Sequence, residues 1–158
     1  MRSDDTEILK MFQFELRFLE DGGYGRSPRA PWRASYVFED SPTCLNFDDI
    51  ARPHACADCR LMEFVPPQFR GESAPCRFIA LTEVGETIDH FYQSRTQMEL
   101  EEALACWLRK QIERMTKPQA NSSTPGAPDH QAELRSCQKL ENSGQQAAPQ
   151  YLGMHNFL

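Results

Sequence analysis

The chain has 158 residues, 40% apolar and 25% charged, a size and balance that fit one globular domain with a core of its own. A net charge of −6 and a pI near 5.2 set its field against generic binding to DNA, RNA or anionic lipid. No apolar run approaches the roughly 20 residues of a membrane span, and MRSDDTEILK lacks the apolar core of a secretory signal; the expectation is a cytoplasmic protein whose six cysteines are thiols or metal ligands rather than disulfides.

After an N-terminal segment, residues 1–10, the stretch Met11 to Leu19 alternates: Phe12, Phe14, Leu16 and Phe18 on one side, Gln13, Glu15 and Arg17 on the other. Period two with aromatic residues predicts a strand buried on one face. Gly22, Gly23 and Gly25 then suit a tight or bulged turn, since glycine tolerates positive φ. Trp32, Ala34, Tyr36 and Phe38 repeat the alternation as a second strand. Leu61 to Val65, Phe78 to Leu81, and Thr87 to Tyr92 after the Gly85-Glu86 turn are further short strands. Five strands separated by Gly and Pro predict a mainly β fold, a small antiparallel β-barrel over residues 11–93.

The period then changes. Leu100, Ala103, Leu104, Trp107, Leu108, Ile112 and Met115 form one apolar stripe at helical spacing. Thr96 with Glu99 is a capping-box pair, Arg109, Lys110 and Arg114 suit the negative end of the helix, and Pro118 stops it. Residues 94–117 are therefore read as an amphipathic helix packed on the barrel. Residues 118–158 are rich in Pro, Gln, Asn, Ser and Ala, too poor in apolar groups to offset the entropy of ordering, and are expected to be a disordered polar tail.

"PHACADC" places His54, Cys56 and Cys59 within six positions. Zinc takes four N or S donors in a tetrahedron, and a C-x-x-C turn can aim two sulfurs at one ion, which is half a site. Cys44 with either His54 or Cys76 would complete it; the set Cys44, His54, Cys56 and Cys59 is the metal candidate, with zinc as the ion. Cys59 leads into an apolar strand rather than opening a helix, which argues against a redox C-x-x-C. No nucleophile-elbow, zincin or phosphate-loop motif occurs. Cys76 with His90 is the one nucleophile and base pairing to be weighed, and nothing in the spacing favours it over a structural thiol and a surface imidazole. No catalytic residue is assigned and no cofactor is expected, with zinc kept as the alternative at the central cysteines.

Taken in order, FQFELRFLEDGGYGR, SPRAP, WRASYVF and LMEFVPPQFRGESAPCRFIALTEVGETIDHFY resemble the C-terminal β-barrel domain of translation elongation factor Tu. That family has an alternating strand, a Glu-Gly-Gly-Arg type turn, a Pro-containing loop, an aromatic-Arg strand, and a late Glu-Gly-x-x-Thr-Val turn. Arg33 falls on the aromatic-Arg position, and Glu83, Gly85, Thr87 and Ile88 fall on the late turn. Tyr24-Gly25 separates the glycine pair from Arg26, Cys76 stands where a loop glycine would be, and residues 39–59 have no counterpart. The resemblance implies a stand-alone barrel, without the GTPase domain, that contacts a protein or RNA.

The functional expectation is a non-catalytic binding module for a protein partner first and RNA second, with no DNA and no membrane among its partners. Arg26, Arg29 and Arg33 are the contact residues, because no acid stands between Asp21 and Glu39. The alternatives are a zinc-stabilised structural or interaction protein built on the central cysteines, and then a small Cys/His enzyme.

Overall fold

The structure is a computed structural model, and it describes residues 3–25 and 35–117. Three α-helices carry it: α1 (Ser3–Glu20), α2 (Ile88–Ser94) and α3 (Gln97–Thr116). Between α1 and α2 the described residues run through turns and four 3-10 turns, Cys56–Asp58, Arg60–Phe64, Pro67–Phe69 and Pro75–Phe78. The sole β feature among the described residues is one antiparallel bridge between Ala80 and Thr87. The barrel and the resemblance to elongation factor Tu are therefore both overturned.

The first expected strand is the second half of α1. Residues 12, 14, 16 and 18 are also two i, i+4 pairs, so their alternation is compatible with a helix, and nothing from Asp4 to Glu20 is a helix breaker. The buried positions are Ile8, Phe12, Glu15 and Leu19, at helical spacing, while Phe14 is half exposed and stacks along the helix on Phe18. The glycine pair closes this helix instead of a hairpin. Gly22 sits at φ 76°, its N–H donates to the Leu19 carbonyl at 3.0 Å, and the Gly23 N–H donates to the Phe18 carbonyl at 2.8 Å. These two bonds are a Schellman cap, which needs a left-handed residue where Gly22 stands.

Of the second expected strand, residues 32–34 lie outside those described. Val37 and Phe38 are buried, but in a turn, and Phe38 has φ 63°. Leu61 to Val65 lies mostly in a 3-10 turn, and Phe78 to Leu81 forms the end of another and one arm of the bridge. The turn around Gly85 does reverse the chain, joining Leu81 N–H to the Glu86 carbonyl at 2.9 Å, but it delivers a helix rather than a closing strand. Thr87 is the reason: its hydroxyl accepts the His90 N–H at 3.2 Å and caps α2.

The Thr96 and Glu99 capping box is formed, and α3 buries Leu100, Ala103, Leu104, Trp107 and Leu108. This stripe packs chiefly on α1 rather than on a barrel. Phe12, Phe64 and Trp107 meet edge to face at 5.1 to 5.5 Å, tying α1, a 3-10 turn and α3 into one aromatic centre. No helix among the described residues is long and apolar enough to cross a membrane. The polar tail, residues 118–158, lies outside the described residues.

Candidate functional site

α1 carries an acid on its buried face. Glu15 is fully buried, and its carboxylate accepts hydrogen bonds from the hydroxyls of Tyr24, Ser41 (2.8 Å) and Thr43. A buried charge is costly unless its lone pairs are taken, and here hydroxyl donors from two other segments take them. Tyr24 reaches Glu15 because the Schellman cap turns the chain back along α1. Its own oxygen accepts the Phe38 N–H at 2.8 Å. Burial, with the charge of Glu15 next in effect, holds the Tyr24 hydroxyl well above the usual phenol range.

The segment that follows is gripped residue by residue. Val37 N–H donates to the Tyr92 hydroxyl at 2.6 Å, and Glu39 accepts from Arg77 Nε at 2.5 Å. The Arg77 guanidinium lies 4.3 Å from the Tyr36 ring centroid and 5.8 Å from that of Tyr92. Its bond to Glu39 raises the Arg77 pKa further, and burial raises that of Tyr92. Beyond this clamp, buried Asn46 makes a two-point clasp on one backbone unit: Nδ2 donates to the His54 carbonyl at 2.8 Å and Oδ1 accepts the His54 N–H at 2.9 Å. The loop between 46 and 54 is thereby closed at its base. Phe47 and Ile50 project from it into solvent, and Leu45, just before its base, is exposed as well.

Behind the loop lies a small cavity of about 30 Å³ whose wall includes Cys44, Cys56, Cys59 and Cys76. All four are free and half-buried. Burial raises the Cys59 thiol pKa and pushes that of Cys76 up to about 12, with Glu39 and the neighbouring cysteines adding to the effect at Cys76. Cys44, Cys56 and Cys59 of the expected metal set are thus brought to one place. His54 is not: its side chain is exposed and absent from the cavity wall, where Cys76 stands instead. Among the described residues no three His, Cys, Asp or Glu side chains stand as a ready ligand set. Cys106, on α3, is disulfide-bonded, against the expectation of thiols or metal ligands throughout.

The other sites separate. The His90 ring faces Ser94 Oγ at 3.0 Å and Glu86 at 3.5 Å on the surface of α2, whereas Cys76 faces the cavity. Arg26, Arg29 and Arg33 lie outside the described residues. Glu15, Tyr24, Ser41, Thr43 and Asn46 were not legible as a set, because Glu15 occupies the polar side of the alternation and its partners are ordinary turn residues. The one available signal was helical: Glu15 falls between Phe12 and Leu19 on a 3.6-residue stripe.

No known protein family, curated protein or solved structure matches this chain.

Proposed function

We propose that the chain is a non-catalytic binding module for a protein partner and that the loop from Leu45 to Ile50 is the surface it presents. The observation that carries this reading is the exposure of Leu45, Phe47 and Ile50, at 47%, 41% and 101%, on either side of the Asn46 clasp that closes the loop at its base. Large apolar side chains clustered in water mark contact surfaces. Asn46 between them is buried, and Ser41 and Thr43 just before them are tied to Glu15, so the loop is held before any partner arrives. Preorganisation of this kind lowers the ordering cost of association.

The chemistry of the partner follows from the flanks. Asp48 and Asp49 are exposed beside the apolar residues and the chain carries a net charge of −6, so the complementary surface is an apolar recess rimmed by Lys or Arg. The same charges oppose a phosphate backbone. The test uses wild type and the L45S/F47S/I50S variant as parallel baits, nuclease-treated and washed at moderate salt, with a photo-reactive residue at position 50 in a third bait. A protein cross-linked at position 50 and lost from the triple variant, at unchanged thermal midpoint, is the expected result. Equal retention by both baits would remove the loop from consideration.

A further inference from the structure

The four cysteines of the middle segment come from three turns and line one cavity. Cys56 begins the 3-10 turn Cys56–Asp58, and the Cys59 N–H closes it on the Cys56 carbonyl at 3.0 Å. Side chains three apart in such a turn eclipse, so these two sulfurs leave the backbone on the same side. Cys44 sits on a turn whose N–H bonds the Ser41 carbonyl at 3.0 Å, downstream of the Glu15 anchor. Cys76 stands in the Pro75–Phe78 turn, next to Arg77, whose bonds to Glu39 and the tyrosine rings fix it from the other side. Two helix-anchored struts and one knuckle thus bring four soft donors to a space about the size of a single small occupant.

Charge and topology favour the same occupant. Glu39, the carboxylate on the same wall, is already engaged by Arg77. A divalent cation balances the charge of thiolate ligands, and Arg52, the basic residue on the wall, offsets the remaining negative charge. From 35 to 87 the backbone has no helix longer than a 3-10 turn and one isolated bridge, so its own hydrogen-bond ladder is thin. A segment of that kind gains much from a staple.

We infer that Cys44, Cys56, Cys59 and Cys76 bind one Zn²⁺ as a tetrahedral four-thiolate centre, with Cys76 rather than His54 as the fourth ligand. Four thiols each lose one proton to solvent and form four Zn–S bonds, leaving a centre of charge −2 with no change of oxidation state. The four sulfurs do not already stand as a ready ligand set, so binding includes their convergence to Zn–S distances of about 2.3 Å.

The full chain, produced in zinc-supplemented medium under reducing conditions and passed into metal-free buffer, is expected to keep about one zinc per chain. The C76S variant loses it and H54A keeps it. Because C76S can fail for reasons of folding, the decisive readings come from chains with all four cysteines: Co²⁺ added to metal-stripped wild type and H54A should give the same thiolate-to-cobalt charge-transfer band, with d–d bands of a tetrahedral site. Thiol titration should show four sulfurs shielded until a chelator is added. Zinc below about a fifth of an equivalent with no charge-transfer band on cobalt addition overturns the centre. Metal loss or an altered cobalt spectrum in H54A overturns the ligand assignment, and a Cys56–Cys59 disulfide in the reduced preparation overturns both.

Discussion

Glu15 shows how one side chain can hold distant segments. Its three hydroxyl donors come from the turn after α1 and from residues 41 and 43, and each bond to a charged group contributes about 1.5–3 kcal/mol. Glu15→Ala leaves the Tyr24 and Thr43 hydroxyls without this acceptor, while Ser41 keeps the Phe38 carbonyl, and is expected to destabilise the fold by about 2–5 kcal/mol in urea unfolding. Tyr24→Phe, which removes one donor and the acceptor of the Phe38 N–H, should cost about 1–3 kcal/mol. A loss of less than about 0.5 kcal/mol for Glu15→Ala, the range of neutral surface changes, would show that the clamp holds nothing. Tyr24 also sets an alkaline limit. Its folded pKa is raised above the unfolded value, so its contribution is complete below about pH 10 and drains as pH rises further. Urea midpoints should begin to fall above about pH 9, where the Cys59 and Cys76 thiols ionise in the unfolded chain, and the further fall beyond about pH 10 should be less steep in Tyr24→Phe.

At the scale of elements, the two ends of the helical pair rest on caps that can be removed singly. A Cβ added at Gly22 meets nothing within 4 Å, so Gly22→Ala carries the left-handed backbone cost alone, about 1–2 kcal/mol. At Gly23 the added atom would lie 2.5 Å from the Phe18 ring, so Gly23→Ala must displace that ring and should cost more. Equal thermal shifts in the two variants would contradict this assignment. Thr96→Ala should cost about 1 kcal/mol through α3. Thr96 N–H and hydroxyl hold the Glu99 carboxyl below the usual carboxylate range. A group with a depressed folded pKa contributes above its unfolded pKa and ceases to contribute as pH falls through the lowered value. Acid unfolding curves of wild type and Thr96→Ala should therefore converge at the acid end. The cap was readable because Thr96 and Glu99 are three apart and satisfy each other locally, whatever α3 packs against.

On the scale of the whole molecule, buried residues of all three helices and of the intervening turns belong to one hydrophobic cluster, centred on Phe12, Phe64 and Trp107. Phe12→Ala should therefore cost about 3–5 kcal/mol and lower the far-ultraviolet and tryptophan-fluorescence transitions together. Separate transitions would mean that the turn segment unfolds apart from the helices. That segment was the part least legible in advance. Its apolar runs, such as Leu61 to Val65, are too short for periodicity to separate strand from 3-10 turn, and the choice is made by what they face.

Elements whose physics is local are encoded in short stretches of the chain. α3, its capping box and its buried stripe follow from contacts three and four residues apart, and the nearness of Cys56 to Cys59 follows from a three-residue turn. The tertiary structure decided everything that depends on long-range partners. Phe12 to Phe18 alternates equally well along a strand or as two helical pairs, and the surface of α3, available only after folding, selects the helix. Glu15 reads as an exposed polar residue until Tyr24, Ser41 and Thr43 arrive from outside the helix to accommodate its charge. The replacement of His54 by Cys76 at the cavity has the same origin: residues 22 positions apart are placed by the folds of their separate turns, which spacing along the chain does not encode.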